Sequence, residues 1–210
     1  FLKTQDIEKL DWLVACASLA DWFFVKNRDW MEKVYEKYGE KFEISENQVK
    51  SGKFWNLQYN LSLALLYFRK DVKTVFNSIG ENLGDMGNLE NYVKIVDKEV
   101  ADAINEFYLH KEDIKDGYFM EFNLELPVDG VVVNLICSKT PNKTFIVSQG
   151  DGEFYKIAAR RQDGKVNLAD MMKKLIEGFD GASAGGHFKA AGAYIPLKYV
   201  KEFKERLKKL

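Results

Sequence analysis

Gly181-Ala-Ser-Ala-Gly185-Gly186-His187-Phe-Lys-Ala190-Ala191-Gly192 is the stretch on which the reading of this chain turns. Glycines directly before an imidazole let main-chain N–H groups approach a ligand with no Cβ in the way. Successive exposed N–H groups make an anion-binding nest. His187 at the rim can donate to a phosphate oxygen, more strongly when protonated. Ala190, Ala191 and Gly192 are small enough for the loop to pack closely on a sheet. The same residues also suit a tight helix-to-strand connection that merely contains a histidine, because short glycine motifs recur widely. The expectation carried forward is a glycine-rich loop whose amides face a phosphate.

Around this stretch the pattern is mixed α/β. Asn167, with Asp170 three residues on, reads as the capped start of a helix that ends near Gly178. Ala193 to Ile195 reads as a short strand, and Lys198 to Leu210 as a basic amphipathic helix whose lysines face solvent. Upstream, Thr144 to Val147 and Phe154 to Ala159 flank the polar turn Gln149-Gly150-Asp151-Gly152, a hairpin signature. Tyr118 to Leu126 alternates loosely, and Val131 to Cys137 is a short β-branched apolar run. The first half is helical instead. Residues 6–25, 28–40, 54–76 and 89–110 carry apolar positions at helical spacing, with a polar break over Asn47 to Lys53 and a loop punctuated by Gly80, Gly84 and Gly87. The expected fold class is therefore α/β, a helical segment over 1–112 followed by a mixed-sheet α/β domain over 113–210. The aromatic density of the first half is expected to serve core packing, and His110 to sit as a helix-end cation.

The 210 residues suffice for one large core or two modest ones. A formal net charge of −1 provides no overall basic field for nucleic acid, so such contact requires a local patch or another domain. Cys16 and Cys137 lie far apart in apolar runs and read as buried thiols of a reducing compartment. Two cysteines and two histidines without paired spacing make a zinc site unsuited. No stretch reaches the roughly 18 apolar residues of a membrane span, and no signal-peptide layout is present. A first residue Phe1 suggests a piece of a longer protein, and the Lys- and Glu-heavy charge points to a thermophilic source.

Gly185-Gly186-His187-x-x-Ala190-Ala191-Gly192 resembles the signature of the DHHA1 domain, which follows the catalytic domain in RecJ-like exonucleases, oligoribonucleases and related phosphodiesterases. The resemblance implies that Gly185, Gly186 and His187 hold the nucleotide or phosphate of a substrate. Ala184 stands where the commonest form has another glycine. Where such proteins place Ser-x-Arg at a strand end, this chain has Ala158-Ala159-Arg160. Arg160 keeps the phosphate-clamping guanidinium, Ala158 loses the hydroxyl, and Arg161 either substitutes or faces solvent.

Ala15-Cys-Ala17-Ser18-Leu19-Ala20-Asp21 is similar to the late motif of the DHH catalytic domain, whose aspartate ligates one of two divalent metals. An unpaired carboxylate buried in an apolar run is costly, so Asp21 is expected to be capped, paired or metal-bound. A hard oxygen donor suits Mn2+ or Mg2+. The chain holds neither an Asp-His-His string nor an Asp-x-Asp motif upstream of Asp21, so the two-metal site is only partly encoded and no catalytic residue is assigned.

The resemblance implies the C-terminal part of a cytoplasmic, archaeal RecJ-like DHH phosphoesterase with a role in DNA repair, inactive alone. It would bind single-stranded DNA or RNA, work with a DHH domain outside this chain, and meet replication or repair proteins. Two alternatives are a phosphodiesterase for oligoribonucleotides or cyclic dinucleotides and a non-catalytic scaffold. A tRNA-binding appendage of the alanyl-tRNA synthetase kind is disfavoured by Asp21 and its flanking run.

Overall fold

An amphipathic helix is stable only where its apolar face finds a partner, and the first half of the chain is organised by that requirement. The computed structural model describes residues 9–43 and 52–209. The polar break over residues 47–51, the start of the first helix and Leu210 lie outside them. The chain divides into two compact units, Phe1–Asp97 and Lys98–Leu210, with the division inside one long helix.

The first unit contains α1 (Asp11–Ala20), α2 (Arg28–Lys37), α3 (Lys53–Tyr67), α4 (Val72–Ser78) and the start of α5 (Leu89–His110). Helix α1 buries Trp12, Ala15, Cys16 and Leu19. It packs on α3, where the Cys16 thiol lies 3.7 Å from the Phe54 carbonyl oxygen. Burial pushes that thiol up to about 12, so it is held protonated. Tyr35 stacks on Phe54 at 4.2 Å, with Phe42 against Tyr35 at 5.0 Å, so these aromatics pack the core, as does the buried Trp12. Trp22 and Trp30 are exposed instead. The sequence expectation of one helix over 54–76 is corrected. The Arg69-Lys70-Asp71 segment cannot be buried, and the chain turns there, with the Thr74 hydroxyl donating to the Asp71 carboxylate at 2.5 Å. The first helix also stops at Ala20 rather than Val25, giving way to a short 3-10 turn over Phe23–Val25.

The second unit is built on a six-stranded sheet of order β1-β2-β3-β4-β6-β5. The strands are β1 (Glu112–Ile114), β2 (Gly117–Phe122), β3 (Thr144–Asp151), β4 (Phe154–Arg160), β5 (Ser183–His187) and β6 (Ala190–Pro196). Only β2 and β3 run parallel; the other pairs are antiparallel, so the sheet is mixed and the fold class is α/β. Helices α7 (Leu168–Leu175) and α8 (Val200–Leu207) cover one face, burying Leu168, Met172, Phe203 and Leu207 against Ile157, Ala193 and Ile195. Asn167 caps α7 as its sequence implies, its side-chain oxygen accepting from the Ala169 and Asp170 amides.

Helix α6 (Asp129–Ser138) covers the other face over β3 and β4. Its β-branched run from Val131 to Cys137 is helical. A short apolar run is ambiguous between the two states. Burial of Val132, Val133, Ile136 and Cys137 along one helical side decides it here. The glycine motif is corrected as well. Gly185, Gly186 and His187 lie in strand β5 and pair with Gly192, Ala191 and Ala190, instead of forming a loop.

Candidate functional site

Strand alternation builds the site. Tyr155, Ile157 and Ala159 of β4 enter the core beside α7 and α8, which sends Lys156, Ala158 and Arg160 to the opposite face. Ala191, Ala193 and Ile195 do the same on β6, leaving Ala190, Gly192 and Tyr194 opposite. Ala184 packs on the core, so Ser183, Gly185 and His187 join the open face of β5. The departure at Ala184 therefore directs its methyl group away from that face.

The register aligns three cross-strand rows: Arg160 with Ala190 and His187, Ala158 with Gly192 and Gly185, and Lys156 with Tyr194 and Ser183. The middle row carries no side chain larger than a methyl group, and it forms a floor between two walls. Four residues of strand separate the walls by about 13 Å, and the three strands span about 10 Å. Helix α6 leaves this part of the sheet open, with Asp129 and Gly130 of its first turn at the border. The resulting cleft holds about 510 Å³.

Two glycines meet different demands here. Gly186 has φ +140°, and a Cβ built on it would sit 2.3 Å from the Ala190 carbonyl oxygen and 2.5 Å from the Ala191 Cα. Only glycine closes that hairpin. A Cβ on Gly185 would meet nothing within 4 Å, so its bareness serves the open face. The strand tip is pinned from outside. Phe188 O accepts the Leu168 amide at 3.0 Å and Lys189 O accepts the Arg161 amide at 3.0 Å, which ties His187 to the start of α7 and the end of β4. Because β5 is an edge strand, alternate residues turn their amides away from β6 while the others are bonded to it.

Arg160 supplies the charge. Its Nε donates to Asn134 Oδ1 at 2.7 Å and its Nη1 to the Ala159 carbonyl oxygen at 2.9 Å. Burial lowers its pKa from the usual arginine value, because a partly desolvated cation is disfavoured. It nonetheless stays protonated. Among the described residues no carboxylate lies within ion-pair distance of it, and Asp129 favours its charge only from further away, so the guanidinium can still take an anion directly. At the opposite wall Lys156 Nζ pairs with the buried Asp129 carboxylate at 3.0 Å. His187 is exposed, and its imidazole bonds to no described residue.

Arg161, by contrast, neither clamps the cleft nor faces solvent. It is buried, forks onto Asp163 at 2.8 and 3.1 Å and donates to Thr144 Oγ1 at 3.2 Å.

Arg160, Gly185 and His187 thus share one face of the second unit, with Gly186 between them in β5, whereas Asp21 belongs to the first. Asp21 is exposed at the C-terminal end of α1, which removes the cost of burial argued from its apolar neighbours. It borders an apolar groove of about 300 Å³ walled by Leu13, Leu61 and Leu65. Among the described residues no group of three or more His, Cys, Asp or Glu side chains is placed to hold a metal. One carboxylate falls short of a divalent-ion site, so no hydrolytic step is assigned through a metal.

Sequence reasoning missed Asn134, Lys156, Asp129 and Tyr194. The period-two alternation of Phe154 to Arg160 held the signal for Lys156. Asn134 was hidden within the β-branched apolar run Val131 to Cys137, whose helical state the sequence left open.

The DHHA1 domain family matches residues 118–210, the segment that holds all three rows. That match covers the sheet-bearing part of the chain and not its helical half. The likeness of the chain to solved structures extends through the helical half. A DHH-domain member of the s1p family of ribosomal proteins superposes with a TM-score of 0.62 at 14% identity over 98% of this chain and 51% of its own. RecJ from Thermus thermophilus, solved with Mg2+, gives 0.63 at 14% over 96% of this chain and 34% of its own. The pGpG-specific phosphodiesterase PggH from Vibrio cholerae gives 0.51 at 12% over 86% and 72%. The chain therefore spans about half or less of the first two proteins. At these identities the likeness is one of fold. No curated protein sequence matches the chain. Among the described residues no helix is long and apolar enough to cross a membrane.

Proposed function

We propose that this chain is the substrate-gripping part of a DHH-type phosphodiesterase acting on single-stranded DNA or RNA. The cleft over β4, β6 and β5 would bind the phosphate of a terminal nucleotide. One observation carries the reading: Arg160, with no described carboxylate within ion-pair distance, stands in the same row as His187, beside a floor of Ala158, Gly192 and Gly185. Charge-assisted bonds from the guanidinium and imidazole would hold the anion, and the flat floor would let a sugar-phosphate chain lie close to the backbone. Positioning of this kind fixes which phosphodiester meets the catalytic groups.

The whole protein would be an exonuclease using Mn2+ or Mg2+, in keeping with RecJ solved with each of these ions. Asp21 would contribute one ligand, with the others outside the described residues. Soluble replication or repair proteins of the cytoplasm would be its partners. A second reading, a phosphodiesterase for very short substrates, is favoured by the cleft's size, about that of a single nucleotide.

Titration of the 210-residue chain with a single-stranded dodecanucleotide and with a dinucleotide, at several salt concentrations, tests both readings. Affinity should fall with salt, and Arg160→Ala should weaken it about tenfold or more, with His187→Ala smaller but in the same direction. Unchanged affinity in both variants would remove the clamp. Equal affinity for the two ligand lengths would favour the short-substrate reading.

A further inference from the structure

The wall opposite Arg160 has no role in gripping phosphate, yet its chemistry is specific. Its lysine is already neutralised by Asp129, so it offers little to a second anion. Between Lys156 and Ser183 stands Tyr194, 41% exposed, on the open face of β6. Among the described residues no other ring lies against it. An aromatic ring left uncovered at one end of a cleft, with an unpaired cation at the other, matches the two ends of a nucleotide.

We propose that Tyr194 is a nucleobase platform, which makes the cleft selective for a nucleotide over a bare sugar phosphate. The inference rests on the phosphate-binding reading of Arg160 and His187 and adds the recognition of the base. Four residues of β6 separate Ala190, in the phosphate row, from Tyr194, about 13 Å along the strand. That length is bridged when the phosphate lies on the Arg160 guanidinium, the sugar crosses the bare Gly192–Gly185 floor and the base reaches the ring. A Cβ on Gly185 would stand in that path, which gives the open space there a reason. Stacking on a tyrosine accepts any base, because every base has a π-face. The Lys156–Asp129 pair at the border adds a donor and an acceptor within reach of the base edge.

The test compares adenosine 5′-monophosphate with ribose 5-phosphate, which differ by the base alone, on the full 210-residue chain and on its Tyr194→Ala and Tyr194→Phe variants. The unaltered chain should prefer the nucleotide. Tyr194→Ala should weaken nucleotide binding at least about fivefold while leaving ribose 5-phosphate unchanged, and Tyr194→Phe should bind as the unaltered chain does. An unchanged urea midpoint checks that the exposed ring was removed without loss of fold. Equal affinity of the unaltered chain for both ligands, or nucleotide binding undiminished in Tyr194→Ala, overturns the base platform and leaves the phosphate clamp standing. Binding of neither ligand to the unaltered chain removes the clamp and the platform together.

Discussion

Gly186→Ala should cost about 3 kcal/mol or more of stability and break the β5–β6 hairpin, whereas Gly185→Ala should leave the fold intact and weaken ligand binding. The two residues are adjacent and chemically identical, so the contrast comes from geometry alone. At Gly186 a methyl group would sit 2.3 Å from the Ala190 carbonyl oxygen, which is backbone and cannot swing aside, and the residue holds φ +140°. The chain must therefore move, and the tip carrying His187 moves with it. At Gly185 the methyl group meets open space above the floor. Its effect is confined to whatever lies in the cleft. Urea midpoints and the amide spectrum report the first outcome, and nucleotide titration reports the second. A Gly186→Ala variant with unchanged midpoint and hairpin would show that the backbone described for β5 is wrong.

Arg161→Ala should be the second large loss, about 2 to 3 kcal/mol, with no direct effect on the cleft. The substitution strips a buried guanidinium and leaves the buried Thr144 hydroxyl without its donor. Lysine at this position should recover only part, because a point charge cannot fork onto both oxygens of Asp163. The pair also sets a pH signature. The Arg161 fork, with help from the Lys165 amide, holds the Asp163 carboxyl down at about 2, below its ordinary 3.8. A depressed native value means that the unfolded state binds protons first as pH falls. The contribution of the pair is thus complete above pH 3.8 and is lost progressively toward pH 2. The stability gap between the unaltered chain and Arg161→Ala should be constant from neutral pH to about 4 and narrow below it. A gap that widens on acidification would contradict this assignment.

What the sequence made legible follows from how local its causes are. The helix over Leu89–His110 and the cap at Asn167 depend on spacing and short-range hydrogen bonds, and both stand as read. The hairpin around Gly152 was marked by its turn residues, although the strands run further than their apolar cores. The convergence of Arg160 with Gly185, Gly186 and His187 was implied by resemblance, and strand register is what brings it about. Other features depended on partners distant in sequence. The helical state of Val131–Cys137 is decided by the sheet beneath it. The exposure of Asp21 is decided by where α1 ends. Arg160 and Arg161 are neighbours in sequence with opposite fates, because strand β4 ends between them and Asp163 captures the second. Tyr194 gave no signal at all, being one aromatic among many until its row was known.

On the function proposed above, the sheet face formed by β4, β6 and β5 receives a nucleotide phosphate. A crystal of the chain grown with adenosine 5′-monophosphate measures it most directly. The phosphate should lie within hydrogen-bond distance of the Arg160 guanidinium and the His187 imidazole, with the sugar over Gly185 and the base toward Tyr194. A nucleotide seated instead on the basic surface at the start of α8, at Lys198 just before the helix and Lys201 within it, with the sheet face empty, would refute that placement.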